Sequence, residues 1–137
     1  MAHKILVVDD EQNMQVLLKR VLGKAGYEVE CAGSGEKALQ LAAKSSFELA
    51  VVDVCMPEMD GIEVLARLKT IDNELPVIMT SAFPSLEKRE RAKAIGCSDY
   101  LSKPVDMKHL KELIRKKLGA INSPVNQQQK RKSGERW

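Results

Sequence analysis

The chain has 137 residues, a length that suits one domain with a hydrophobic core of its own. It contains no run of about 18 apolar residues that would predict a membrane-spanning helix, and its first residues lack the pattern of a secretory signal peptide. The formal net charge of +3 arises entirely in residues 119–137, since residues 1–118 carry 18 basic and 18 acidic side chains. The domain itself therefore gives no electrostatic reason to expect nucleic-acid binding.

Apolar runs alternate with helical periodicities in the first half of the chain. Residues 5–8 predict a buried strand, and the helix that follows is expected to end near Gly23 or Gly26. Apolar residues three and four apart predict the buried face of this helix: Met14, Leu17, Leu18, Val21 and Leu22. Residues 27–32 alternate as a strand with one exposed side does. A second helix is predicted after residues 33–35, with four residues on its buried face: Ala38, Leu39, Leu41 and Ala42.

The same alternation continues in the second half. Residues 49–52 form an apolar strand that ends at Asp53, and a turn set by Pro57 and Gly61 leads into a helix. The apolar face of this third helix contains Ile62, Leu65 and Leu68. Residues 76–80, 85–95 and 99–102 predict a strand, a polar helix and a last strand. Asp106 is expected to N-cap a fifth helix, whose apolar face contains Met107, Leu110, Leu113, Ile114 and Leu118.

Five strand–helix units predict an α/β fold. Strands that are apolar on both faces, each followed by a helix of crossover length, indicate a parallel sheet covered by helices on both faces. Right-handed crossovers make this a doubly wound sheet, whose functional site lies at the carboxyl ends of the strands. We expect one domain over residues 1–118, and a disordered basic tail or the start of a linker over residues 119–137.

The three cysteines are odd in number, widely spaced and without a C-x-x-C pair. This pattern argues against a disulfide framework and against a zinc site, and it is typical of proteins in a reducing cytosol. We therefore expect a cytoplasmic protein that has no contact with a membrane.

Chemically active side chains stand where the predicted strands end. Asp9 and Asp10 follow the first strand, Asp53 ends the third, Thr80 ends the fourth, and Lys103 follows the fifth. In a parallel sheet these positions share one edge, so the sequence predicts a cleft containing three carboxylates, a hydroxyl and an ammonium group. Adjacent carboxylates repel each other, so we expect a cation nearby or a raised carboxyl pKa.

Oxygen-rich anions of this kind suit Mg²⁺, which binds one or two carboxylates together with waters and phosphate oxygens. A carboxylate can also act as a nucleophile toward phosphorus and form an aspartyl phosphate. Asp53 stands alone at its strand end and is therefore the better candidate nucleophile. Lys103 would neutralise phosphoryl oxygens, and Thr80 could donate a hydrogen bond to one.

Four motifs in this order resemble the receiver domain of two-component response regulators. They are VVDDE at 7–11, VVDVCMPEMDG at 51–61, VIMTSA at 77–82 and DYLSKP at 99–104. The resemblance covers residues 4–118 and implies a flavodoxin-like sheet with strand order 2-1-3-4-5. It also implies that Asp53 accepts a phosphoryl group from a phosphohistidine and that the Lys103–Pro104 peptide bond is cis.

The resemblance further implies a magnesium site, with Mn²⁺ as an alternative metal. Asp10 and Asp53 would bind the ion directly, Asp9 through water, and Cys55 through its main-chain carbonyl. Thr80 would move to the phosphoryl group, and Tyr100 would turn inward with it. Such a domain is not an enzyme in the ordinary sense, because it catalyses only its own phosphorylation and dephosphorylation.

As a bacterial phosphorelay protein, the chain would receive its phosphoryl group from a sensor histidine kinase or a histidine phosphotransfer protein. Phosphorylation would remodel the face built by the fourth helix, fifth strand and fifth helix, and so control an effector domain or protein or form a homodimer. No direct nucleic-acid binding by the receiver is expected. The face would carry Lys88, Arg89, Arg91, Lys93, Lys108 and Lys111. The tail's composition fits both a stand-alone receiver and the front of a longer regulator.

Two positions depart from the pattern that assists dephosphorylation in the family. Cys55 and Ala82, two residues after Asp53 and Thr80, are neither acids nor amides. We therefore predict no strong assistance to hydrolysis of the aspartyl phosphate.

Three other classes of protein are less consistent with these residues. A magnesium-dependent phosphohydrolase with an aspartyl phosphate would carry D-x-D, whereas Val54 and Cys55 follow Asp53. A flavin-binding protein with this sheet would need a phosphate-binding loop after the first strand, where the acids at 9–11 would repel phosphate. A pseudo-receiver that only docks would have lost a site residue, and none is missing.

Overall fold

The computed structural model describes residues 3–83 and 85–119. The chain divides into two units, residues 1–105 and 106–137, and the first contains the whole sheet. In chain order the elements are β1 (Lys4–Val8), α1 (Gln12–Lys24), β2 (Glu28–Ala32), α2 (Gly35–Lys44), β3 (Leu49–Asp53), α3 (Gly61–Ile71), β4 (Val77–Ser81), α4 (Leu86–Ile95), β5 (Asp99–Ser102) and α5 (Met107–Gly119).

The five strands form one parallel sheet in the order β2-β1-β3-β4-β5. The predicted α/β fold and its strand order are therefore confirmed. In the register between β3 and β4, Asp53 lies beside Thr80. The carboxyl ends of the central strands thus place these two side chains on the same edge of the sheet.

The central strands are buried on both faces, as their continuous apolar runs predict. On one face, Leu6, Val52 and Met79 join a core cluster with residues of α2, α3 and α4. The alternate residues Ile5 and Val51 are buried as well. A sheet covered in this way holds the strand ends rigidly and so fixes the geometry of the edge.

Serine side chains cap two of the helices. Ser34 Oγ accepts a hydrogen bond from the Lys37 amide at the start of α2 (3.1 Å), and Ser85 Oγ accepts one from the Lys88 amide at the start of α4 (3.2 Å). Gly96 ends α4 in a left-handed conformation with φ of 119°, which glycine adopts at little cost.

The second unit is described over residues 106–119 and consists of α5. Asp106 Oδ1 accepts a hydrogen bond from the Lys108 amide at 3.0 Å, which confirms the predicted cap. Leu110 and Ile114 are buried. The helix includes Gly119, one residue beyond the predicted boundary, and the predicted tail otherwise lies outside the described residues.

Two expectations about buried faces were too broad. On α1, Leu18 and Leu22 are buried, whereas Leu17 is 39% exposed. Successive residues of a helix point about 100° apart, so Leu17 lies off the line joining Leu18 and Leu22. On α2, Ala38 is buried and its predicted apolar neighbours are only half-buried. Within the part of the chain that the structure describes, no helix has both the length and the apolar character needed to cross a bilayer.

Candidate functional site

The carboxyl edge of the sheet gathers the acidic side chains that the sequence predicts there. Asp9 and Asp53 are only 2% and 3% exposed, whereas Asp10 is exposed. One carboxylate oxygen from each of Asp9, Asp10 and Asp53 lies within 4.8 Å of the others. Three hard oxygen donors at this spacing fit a divalent cation such as Mg²⁺, because a bound cation would offset their mutual repulsion.

Lys103 lies at the centre of this cluster. Its Nζ donates to Asp9 Oδ2 at 3.0 Å and to Glu11 Oε1 at 3.1 Å, and it lies 3.4 Å from Asp53 Oδ2. Its side chain is only 10% exposed, so these are partly desolvated contacts rather than loose surface pairs. The cation expected beside the acids after β1 is therefore supplied, in part, by the protein itself.

The expected cation and the expected rise of a carboxyl pKa both occur at this edge of the sheet. Burial raises the pKa of Asp53 from 3.8 to about 6, because the attraction of Lys103 offsets it only in part and the charge of Asp9 adds to it. Burial alone would lower the pKa of Lys103, but hydrogen bonds to Asp9 and Glu11 and the charge of Asp53 outweigh it and raise that pKa.

The loop after β3 orients Asp53 through its backbone. The Cys55 amide donates to Asp53 Oδ1 at 3.2 Å, and the Gly61 amide donates to the Val54 carbonyl at 2.9 Å. A Cβ on Gly61 would lie only 2.0 Å from the Asp53 carbonyl oxygen, so only glycine fits there. Asp60 Oδ1 caps α3 by accepting from the Ile62 amide at 2.7 Å.

The two predicted switch residues lie on β4 and β5. Thr80 is 2% exposed and stands beside Asp53 in the sheet register, while the Val54 amide donates to the Thr80 carbonyl at 2.8 Å. Tyr100 stands beside Met79 in the register and is half-buried. Its hydroxyl is buried and has no hydrogen-bond partner among the residues that the structure describes. The Lys103–Pro104 peptide bond is cis, as predicted.

Two residues of the site were missed by the sequence reasoning. Glu11 contacts Lys103, and the Gln15 side-chain amide donates to the Asp9 carbonyl at 2.7 Å. Glu11 stands in the same acidic run as Asp9, and a lysine expected at that edge was the signal that could have identified it as a partner. Nothing in the sequence pattern distinguishes Gln15 from the other polar residues of α1.

Comparisons with known proteins agree with this geometry. Residues 5–115 match the family model described as the response regulator receiver domain. Sporulation initiation phosphotransferase F of Bacillus subtilis (strain 168) is 36% identical over 118 residues, which cover 86% of this chain and 95% of that protein. Regulatory protein AtoC of Escherichia coli (strain K12) is 34% identical over 116 residues, or 85% of this chain, but this chain spans only 25% of AtoC.

Solved structures give the same result. A CheY-like response regulator receiver domain protein from Methanospirillum hungatei JF-1 matches with a TM-score of 0.85 and 32% identity, over 87% of this chain and 95% of that one. Chemotaxis protein CheY4 of Vibrio cholerae matches with a TM-score of 0.79 and 32% identity, over 84% and 98% of the two chains. The fold, the acidic edge and these similarities together show that the chain belongs to the response regulator receiver domain family of two-component signalling proteins.

Proposed function

We propose that the chain is a phosphorylation-activated signalling switch in which Asp53 is the phosphoacceptor. The observation that carries the proposal is the position of the Asp53 carboxylate: buried at the end of β3, clustered with two other acids and within 3.4 Å of the Lys103 ammonium group. A structural ion pair needs one acid for one lysine. Additional buried negative charge is costly unless a further cation is bound there.

The proposed reaction is phosphoryl transfer from a phosphohistidine. A carboxylate oxygen of Asp53 attacks phosphorus, the P–N bond to the imidazole breaks, and the imidazole leaves with a proton from solvent. The Cys55 amide, which already donates to Asp53 Oδ1, keeps the carboxylate from rotating freely. Lys103 is close enough to stabilise the negative charge of the transferred group. The chain catalyses only its own phosphorylation and dephosphorylation.

Mg²⁺, or Mn²⁺ in its place, would be held by Asp10 and Asp53, by Asp9 through water, and by the main-chain carbonyl of Cys55. When bound, the ion would supply positive charge that stabilises the phosphoryl oxygens. The close spacing of the three carboxylates supports this ligand set. The chain's own residues then have two tasks, which are to orient the nucleophile and to neutralise the oxygens that the metal does not contact.

Phosphorylation is proposed to act through Thr80, Lys103 and Tyr100. The phosphoryl group adds about −1.5 to −2 charges and three strong hydrogen-bond acceptors at the end of β3. Thr80 lies on the adjacent strand, so a small movement brings its hydroxyl to the new acceptor. The Tyr100 hydroxyl has no hydrogen-bond partner among the described residues, so no polar contact there opposes a change in the position of this side chain. A two-state shift of the surface near α4 and β5 follows.

One lysine of the basic face predicted to bind a partner forms an ion pair within the chain. Lys88 Nζ lies 3.5 Å from Asp60 Oδ2, so this lysine faces the loop that follows Asp53 rather than a partner. Arg91 is exposed and remains a candidate for contact with an acidic effector or a second receiver. We further propose a sensor histidine kinase or histidine phosphotransfer protein as the phosphodonor, and a cytoplasmic location. Phosphorylation-dependent dimerisation and the absence of direct nucleic-acid binding stay predictions.

The proposal is tested by intact mass spectrometry after incubation with acetyl phosphate and Mg²⁺. We expect one added phosphoryl group on the wild-type protein and none on Asp53→Asn or in EDTA. A sample without an adduct is then treated with beryllofluoride, a stable mimic of the phosphoryl group. If this mimic also fails to bind in the presence of Mg²⁺, the chain is a docking module and the proposed function is wrong.

A further inference from the structure

The Lys103 ammonium group is held by one carboxylate that has no assigned task. Asp9 and Asp53 are buried and belong to the proposed metal site, whereas the Glu11 side chain is 64% exposed. Its contact with Lys103 is nevertheless 3.1 Å, shorter than the 3.4 Å contact between Lys103 and Asp53. An exposed glutamate normally gains little from a fixed ion pair, because it loses side-chain freedom.

The backbone of Glu11 is fixed on both sides. Its amide donates to Asp9 Oδ1 at 2.9 Å, and its carbonyl accepts from the Gln15 amide at 3.1 Å. Glu11 also occupies the N-cap position of α1, and its side chain makes no capping hydrogen bond there. The side chain at this position therefore does not serve the helix. It is directed to Lys103 instead.

Lys103 and a divalent cation would compete for the same carboxylates. Lys103 contacts Asp9 and Asp53, and both carboxylates belong to the cluster that fits a metal. Two cations cannot share these carboxylates without strong repulsion in a partly desolvated site. When the metal enters, the ammonium group must withdraw from at least one buried oxygen. A lysine that is only 10% exposed then needs another partner.

We propose that Glu11 is a positioning residue that retains the Lys103 ammonium group when a divalent cation takes over Asp9 and Asp53. This inference rests on the metal site of the proposed function. Glu11 suits the task because its carboxylate lies at the outer side of the cluster and is not part of the metal-binding set. It thereby lowers the cost of metal entry and keeps Lys103 near Asp53 for the phosphoryl group.

The test is a double-mutant cycle on Mn²⁺ affinity, followed by the electron paramagnetic resonance of the free ion. The proteins are wild type, Glu11→Gln, Lys103→Gln and the double variant. Glu36→Gln, which removes another exposed acid at the start of a helix, is the matched control. We expect Glu11→Gln to weaken Mn²⁺ binding about three- to tenfold in the wild-type background and to have no effect once Lys103 is Gln. Lys103→Gln alone should bind Mn²⁺ more tightly, because the competing cation is gone.

Three results would overturn the inference. An equal loss of affinity from Glu11→Gln in both backgrounds would mean that Glu11 acts on the metal through its charge alone. No loss in either background would mean that it has no role in metal entry. Weaker binding by Lys103→Gln would mean that lysine and metal do not compete. Failure of the proposed function is distinguishable, because it would appear as absent phosphorylation of Asp53 whatever the Mn²⁺ affinities are.

Discussion

Neutralising Asp53 is expected to stabilise the metal-free protein at neutral pH. The ionised carboxylate is buried beside Asp9, and its pKa is raised to about 6 from the ordinary value of 3.8. That difference corresponds to about 3 kcal/mol at about 1.36 kcal/mol for each pH unit. Asp53→Asn removes the charge while keeping the shape, so we predict a free energy of unfolding higher by about 2–3 kcal/mol near pH 7.5 in EDTA.

The pH dependence follows from the direction of the shift. Because the pKa of Asp53 is higher in the folded state, the folded protein binds more protons between about pH 4 and 6, and this carboxyl group destabilises it progressively as pH rises through that window. The penalty levels off as the pH rises beyond about 7 and vanishes as the pH falls below about 3. The advantage of Asp53→Asn should therefore shrink to about 1 kcal/mol near pH 4.5.

Urea unfolding at the two pH values, followed by circular dichroism, measures this effect. Glu36→Gln, at an exposed position, serves as the control and should change stability by no more than about 0.5 kcal/mol at either pH. Equal stability of wild type and Asp53→Asn near pH 7.5 would refute the reasoning, and so would an advantage that does not fall with pH. The first result would mean that Lys103 compensates the Asp53 charge fully, and the second would mean that the gain in stability does not come from removing that charge.

Three further outcomes follow from the same geometry. Gly61→Ala should destabilise the protein by about 3 kcal/mol or more in thermal unfolding, because the added methyl group would collide with the Asp53 carbonyl oxygen. A free energy of unfolding within about 1 kcal/mol of wild type, roughly the size of an ordinary surface change, would contradict this. Lys103→Gln should still accept a phosphoryl group but lose most of the beryllofluoride-induced amide chemical-shift changes in α4, and a wild-type pattern of changes would count against the proposed switch. The aspartyl phosphate should persist for longer than seconds, because neither Cys55 nor Ala82 can direct water to it, and decay of the phosphorylated mass within seconds would disprove this.

Most of the fold could be predicted because the strands are short and apolar on both faces. Residues 5–8 and 49–52 have no polar side to offer water, so a parallel sheet covered on both faces is the only simple arrangement for them. The sheet then brings Asp9, Asp53 and Lys103 to one edge without further assumptions. The position of each follows from the strand topology, because each stands at the end of a strand or directly after it.

The contacts that escaped prediction depend on long, flexible side chains. The partner of Glu11 lies 92 residues away, and nothing in the local pattern shows that a lysine after β5 reaches an exposed glutamate before α1. The same holds for Lys88, because its contact with Asp60 depends on α4 lying beside the loop after β3. Side-chain reach and rotamer choice are set by tertiary packing, which hydrophobic periodicity does not encode.

The position of the phosphoryl group tests the central claim most directly. The protein is phosphorylated with acetyl phosphate and Mg²⁺, reduced with borohydride to convert the acyl phosphate into a stable product, and digested with trypsin. Cleavage after lysine and arginine places Asp9 and Asp10 in the peptide 5–19 and Asp53 in the peptide 45–67. We predict modification at Asp53 alone. Modification at Asp9 or Asp10 would contradict the assignment of the nucleophile.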